Sequence, residues 1–352
     1  MNSPPLSTID HPIIRHIANM ANQAALRDTA SYDTGLRKFR VFCDVFSIPE
    51  SDRLPASFEL LHSFALWAAT DPEPSDPLLS AVGSSASFEP VSVGVVRKYL
   101  SAVRAWHIAQ GWPPSLSSSD YERIKWSLRG LENLQAGRRK PLRPPISIAM
   151  LTVIKAALIL SDPFDACVWA MASCSFFGMM RFSEVSVTSR SAFNPSKHLT
   201  RAHAFFGHDL RNTPYARLDL PSAKTARAGE TQSIFLTEQG DLCPLAALRN
   251  LAMVVPALAD DPLFSWRDSR GEIRPMVKVR ALERINSMLV AGGWGTSFGH
   301  SFRMGGASFY LAQKVDPEII RIAGRWKSLA YETYIRAFEQ ISSQHLANAI
   351  SS

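Results

Sequence analysis

Cysteine is scarce in this chain, four in 352 residues, and what is missing around those four excludes two classes of architecture. Cys43, Cys167, Cys174 and Cys243 form no CxxC pair and have no histidine at ligand spacing, so no disulfide framework and no metal site is expected. Three of them sit in apolar text, which suits reduced, buried thiols. The opening MNSPPLSTIDHP lacks the basic-then-apolar pattern of a secretory signal. The longest near-continuous apolar run, Ala166 to Met180, is too short and too interrupted by serine and glycine to span a membrane, and predicts a buried helix instead. Internal repeats and low-complexity tracts are also missing. These absences leave a soluble intracellular protein as the expectation.

What is present is an ordinary globular balance, 46% hydrophobic and 20% charged residues, in a length that suits two domains. Thirty-eight Lys and Arg against 31 Asp and Glu give +7, an excess that permits a polyanionic partner without requiring one. The excess is uneven: residues 1–145 hold 16 basic and 14 acidic side chains, residues 146–352 hold 22 and 17.

Residues 1–20, with their prolines and serines, read as a flexible lead-in. From Ala24 the text turns helical, with Tyr32, Leu36, Phe39 and Phe42 at helical spacing, followed by helices over Ser57 to Ala69, Val91 to Gln110 and Tyr121 to Leu134. Residues 21–136 therefore form a helical domain. The third of its helices carries Arg97, Lys98 and Arg104 away from its apolar side, a basic face that could meet a polyanion. Residues 137–145, with Arg138, Arg139 and Lys140 among prolines, read as an exposed basic linker.

Residues 146–352 form the second domain. Helices are predicted over Ser147 to Leu160 and Pro163 to Met179, strands over His198 to Phe206, Tyr215 to Leu220 and Thr231 to Leu236, and helices again over Pro244 to Pro256 and Met276 to Ala291. The connector PSAKTARAGE makes the last two strands a hairpin with Lys224 near its tip. The tail 337–350, with Phe338, Ile341, Leu346 and Ile350, has enough apolar surface for a docking helix.

Several polar residues stand out. Arg181 follows directly on the apolar helix and needs a partner or a ligand; Glu184 is its local candidate. His300 and Arg303 lie three apart in HSFR and can address one anion from one helical face, which a helix N-terminus would favour further. Arginine forks bind the non-bridging oxygens of a phosphodiester and stabilise its transition state without a metal. A lysine on a hairpin can protonate a leaving oxygen, and a histidine can exchange a proton near neutral pH. Trp326 offers an indole N–H and an apolar wall. A tyrosine that attacks phosphorus keeps the bond energy in a phosphotyrosine, so no cofactor is needed.

The ordered set Arg, Lys, His-x-x-Arg, Trp, Tyr resembles the tyrosine recombinases, the phage integrase family. GMMRFSEV looks like that family's first-arginine box, LPSAKT its hairpin-lysine box, HSFR its His-x-x-Arg box, and GRW followed by YIR its last two boxes. HSFRMGGAS, GRWKS and YIR are most similar to recombinases of eukaryotic mobile elements, the Crypton and DIRS-like groups.

The resemblance implies a mainly α fold with a small antiparallel β-sheet, and two domains closing as a C-shaped clamp on duplex DNA. It gives Tyr334 the nucleophile's role, with Arg181, Lys224, His300, Arg303 and Trp326 activating the phosphate and Glu184 supporting Arg181. Tyr331 is the rival nucleophile. The implied activity is site-specific cleavage and rejoining through a 3′-phosphotyrosyl intermediate, for integration or excision of a mobile element. It would be carried out by a synaptic tetramer that is monomeric when free of DNA. The compartment would be nuclear for a eukaryotic element and cytoplasmic for a bacterial host. Two other readings stay open, a type IB topoisomerase and a non-catalytic DNA-binding protein derived from a recombinase. The HSFR and GRW boxes speak against the first, and the presence of all six residues against the second.

Overall fold

The computed structural model describes residues 9–25, 29–70, 90–113, 115–134, 144–222 and 231–326. The chain divides into two compact units, Met1–Pro141 and Leu142–Ser352, the division falling within the basic, proline-containing stretch.

The described residues of the first unit form helices: α1 (Pro12–Ala25), α2 (Thr29–Val45), the single turn α3 (Glu50–Arg53), α4 (Phe58–Ala69), α5 (Val93–Ala109) and α6 (Ser118–Leu134). The lead-in expected over residues 1–20 thus contains most of a helix. Pro12 opens it, where its missing N–H costs nothing, and Ile13, Ile17 and Met20 recur at helical spacing. That periodicity outweighs the prolines and serines before it. Ser57 starts α4 by accepting the Leu60 N–H through its hydroxyl at 3.2 Å. Phe39 and Phe42 of α2, Phe64 of α4, Val96 and Val103 of α5, and Ile124 of α6 share one core. Within it the Phe39 and Phe64 rings meet edge to face at 5.2 Å.

Among the described residues, one polar side chain, His107, lies wholly inside this core. The His107 Nδ1–H donates to the Val103 carbonyl at 2.8 Å, and Nε2 accepts the Ala56 N–H at 2.8 Å, so the ring is held neutral. Burial lowers its pKa from the ordinary histidine value, and the bond to Val103 only partly opposes this. The unfolded chain takes up this proton near pH 6.5 and the folded chain only at lower pH, so stability is lost as pH falls through that region. Hydrogen-exchange protection of α4 and α5 should therefore decline between about pH 7 and about pH 5, and the decline should shrink in His107→Gln. Equal declines in the two proteins would show that His107 is not the responsible group.

The second unit is built around α8 (Pro163–Phe177), which is buried at every residue from Asp165 to Phe177. Such a helix is apolar all round, because neighbours cover every side. Asp162 caps it, its carboxylate accepting the Phe164 and Asp165 N–H groups at 3.0 and 2.9 Å. Asp165 is tied to Arg284 by two hydrogen bonds of 2.9 and 2.8 Å and accepts the Ile159 N–H at 3.0 Å. Burial pushes the Asp165 carboxyl up, but these donors override it and leave the pKa below the usual carboxylate range. Around α8 pack α7 (Ile148–Ala157), α9 (Pro244–Val254), α10 (Lys278–Ala291) and α11 (Gly299–Ala312), and α12 (Pro317–Ala323) lies against α11.

A three-stranded antiparallel sheet, in the order β1 (Ala204–His208), β2 (Pro214–Leu220), β3 (Gln232–Thr237), covers another side of the core. Ala216, Leu218, Ile234 and Leu236 face inward, while Arg217 stands between Phe205 and Phe235 on the other face. The strand expected over 198–206 begins only at Ala204. Before it, the Thr200 N–H donates to His203 Nδ1 at 3.0 Å and residues Arg201–His203 make a 3-10 turn, local bonding that competes with a strand ladder. A second hairpin, β4 (Ser265–Arg267) with β5 (Ile273–Pro275), was not expected, because three-residue strands carry too little alternation to register. The four cysteines are free and buried. No helix among the described residues is long and apolar enough to cross a membrane.

Candidate active site

Two turns and one helix end make the site. Gly178 stops α8, Met179 adopts φ of 45°, and the chain turns so that the Arg181 side chain emerges at the end of the apolar helix, one-fifth exposed. Helix α11 crosses close to that turn. A Cβ on Gly306 would lie 1.9 Å from the Phe176 carbonyl oxygen, so glycine is what lets α11 approach the end of α8. The Phe182 and Phe302 rings, each next to one of the arginines Arg181 and Arg303, lie 5.4 Å apart. From the other side, the Ile146 N–H donates to the Ser301 carbonyl at 3.0 Å.

Glu184 is the centre of the polar network. Its carboxylate accepts Arg181 Nη1 at 2.8 Å, the Arg181 backbone N–H at 2.8 Å and Arg325 Nη2 at 2.7 Å. The expected pairing of Glu184 with Arg181 is therefore seen, with a second guanidinium sharing the same carboxylate. Both the Glu184 and Arg325 side chains are more than nine-tenths buried.

Arg303 lies deeper than a fork offered to solvent, at 1% exposure. Its guanidinium donates to the Met179 and Gly324 carbonyls and lies 4.2 Å from the centre of the Trp326 ring. Trp326 completes a small apolar cluster with Met179, Ala307 and Ile320. Its ring folds over Gly324, where a Cβ would come within 1.7 Å of it. His300 is half-buried in the first turn of α11. The Tyr310 hydroxyl donates to the Phe177 carbonyl at 3.0 Å, and burial pushes its pKa up to about 12, so this tyrosine keeps its proton.

Arg181, Glu184, Arg303 and Trp326 thus converge from three separate stretches of sequence. Lys224, Tyr331, Tyr334 and the tail 337–350 lie outside the described residues, as do Arg138, Arg139 and Lys140 of the basic stretch. Arg97, Lys98 and Arg104 are exposed on α5 in the other unit, with Arg97 3.7 Å from Glu132. No group of three or more His, Cys, Asp or Glu that could hold a metal occurs among the described residues.

Sequence reasoning missed Arg325. The residue stands just past the end of α12, where the Arg325 N–H reaches the Ile322 carbonyl at 2.9 Å and the Trp326 N–H reaches the Arg321 carbonyl at 3.0 Å. Its φ is 59°, a left-handed conformation that helix ends usually give to glycine and that costs another residue about 1 kcal/mol. Burial lowers its pKa from the ordinary arginine value; Glu184 opposes that and Arg181 adds to it. The only signal in the sequence was a charged residue where the helix stop favours glycine.

No protein-family profile and no curated protein matches the chain. Among solved structures the chain is similar to the XerH site-specific recombinase bound to palindromic difH substrate in a post-cleavage complex. The TM-score is 0.54 at 13% identity, over 92% of this chain and 79% of that one. Looser matches are XerA recombinase (TM-score 0.39, 12% identity, 93% and 96% of the two chains) and a Flpe–Holliday junction complex (0.36, 10%, 88% and 80%). The likeness to XerH defines the architecture: this chain has the tyrosine-recombinase fold, mainly helical with a small antiparallel sheet.

Proposed function

We propose that the protein is a site-specific DNA recombinase that breaks and rejoins duplex DNA through a tyrosine. The observation that carries this reading is the convergence just described: Arg181 on Glu184, and Arg303 on Trp326 and the Met179 carbonyl, at one place in the second unit. The tyrosine-recombinase fold supports it.

In this reaction the Tyr334 oxygen attacks a backbone phosphorus, forming P–O(Tyr) as P–O5′ breaks. The tyrosine gives up its proton to His300, and Lys224 protonates the departing 5′ oxygen. The count of phosphate ester bonds is unchanged, so rejoining by attack of a 5′ hydroxyl needs neither nucleotide nor metal. Arg181, the partly exposed fork, neutralises the charge that develops on the non-bridging oxygens, and buried Arg303 holds the turns at Met179 and Gly324 beside it. Two units closing on duplex DNA, a synaptic tetramer, and movement of a mobile element of the Crypton or DIRS-like kind belong to the same reading. Exposed Arg97, Lys98 and Arg104 on α5 would meet the DNA, with Arg138, Arg139 and Lys140 on the linker.

The test uses a library of nicked duplexes with randomised arms, in which cleavage near the nick releases a short strand and traps the enzyme. Wild-type protein should form a denaturation-resistant adduct with a recoverable subset of sequences, and Tyr334→Phe should form none. An adduct that persists in Tyr334→Phe and disappears in Tyr331→Phe would move the nucleophile to Tyr331. No adduct from the wild type on any member of the library would refute the function.

A further inference from the structure

Arg325 is not among the residues given a role in the reaction above, yet its surroundings are hard to explain as packing. It occupies a left-handed backbone position without being glycine. Its Nη2 donates to Glu184 at 2.7 Å, while its buried Nε and Nη1 have no hydrogen-bond partner among the described residues. One carboxylate faces two guanidiniums, so the trio Arg181, Glu184 and Arg325 carries a net positive charge in a largely buried place. A residue kept only to end α12 would be glycine, with no strain and no buried, under-bonded charge.

We propose that Arg325 is a positioning residue of the DNA-cleaving site, acting through Glu184 to hold the Arg181 guanidinium against the turn that follows α12. The assignment rests on the recombinase reading. Glu184 reaches Arg181 through its side chain and backbone N–H at once, so fixing the carboxylate fixes both the turn and the fork. Arg325 fixes the carboxylate from the opposite side of the chain, on a turn that also gives the Gly324 carbonyl to Arg303. One turn therefore sets both arginine forks, and the same turn leads into the segment that carries Tyr334. Removing Arg325 leaves Glu184 and Arg181 paired but free to rotate together, which misplaces the fork without removing it.

Single-turnover adduct formation on a duplex recovered from the randomised library measures the effect. Arg325→Ala should slow cleavage roughly 10- to 100-fold while the dissociation constant for the same duplex moves less than about threefold. Arg325→Gly should be as slow as Arg325→Ala although it relieves the backbone, and Arg325→Lys should recover part of the rate. Arg325→Ala combined with Glu184→Gln should be no slower than the slower single variant, since both act through one contact. A wild-type rate in Arg325→Gly would overturn the proposal, because the residue would then matter only as a helix stop.

A second arm does not depend on activity. Modification of Arg181 by phenylglyoxal, read by mass spectrometry on folded protein without DNA, should be faster in Arg325→Ala than in wild type. An unchanged rate overturns the positioning role even if the enzyme cleaves DNA. Faster modification in a protein that forms no adduct keeps the contact and refutes the recombinase reading alone.

Discussion

Arg181→Ala is expected to lower the rate of adduct formation about 10³-fold with the fold and DNA affinity kept, because an arginine fork contributes mainly in the transition state. The structure supplies the reason stability survives. Glu184 does not become an orphaned buried carboxylate, since Arg325 Nη2 still donates to it at 2.7 Å. The lost side chain was partly exposed, so its removal opens no sealed cavity. Arg303→Ala should behave differently, against the sequence-based expectation that both arginines act alike. Arg303 is fully buried, satisfies the Met179 and Gly324 carbonyls and lies on the Trp326 ring. Its loss leaves two buried acceptors and an uncovered ring, at a cost of roughly 3 kcal/mol, or a fall in melting temperature of about 10 °C. Thermal melts beside single-turnover cleavage decide it: equal melting losses in the two variants would remove the distinction drawn here between an offered fork and a buried one.

Gly306→Ala is the other change with a large expected effect. The added Cβ would sit 1.9 Å from the Phe176 carbonyl oxygen, a backbone atom that no rotamer change can move away. Ordinary contact then requires α11 to shift by about 1 Å or more, at a cost of roughly 3 kcal/mol. The shift also pulls Ser301 from the Ile146 N–H and Arg303 from the Met179 carbonyl, so cleavage should be lost together with stability. Gly94→Ala in α5 is the control. A Cβ there meets nothing within 4 Å, and the helix should be unchanged or stabilised by up to about 1 kcal/mol. If the two variants melt alike, α11 is not packed on α8 as described.

The second unit was the more legible in sequence because its elements announce themselves chemically. The apolar run of α8 is buried all round, and the alternation of β2 and β3 matches their half-buried register. HSFR and GRW could be read as motifs because histidine, arginine and tryptophan are conspicuous residue types. Their partners could not. Arg303 binds carbonyls of Met179 and Gly324, which are far away in sequence, and a carbonyl looks the same under every residue name. Arg325 was hidden for a related reason: its role comes from a backbone angle and from a carboxylate 141 positions earlier. Helix α1 was lost beneath its prolines and serines, although Ile13 and Ile17 carry the period.

Ile146 stands just ahead of α7, four residues into the second unit. Its side chain is sunk in the core at 1% exposure, its N–H is bonded to Ser301, and its carbonyl lies so close to Gly305 that a Cβ there would approach within 2.1 Å. Ser301 is next to His300, and Gly305 is one turn further along the same helix. Ile146 therefore moors the chain ahead of α7 to the helix that carries HSFR.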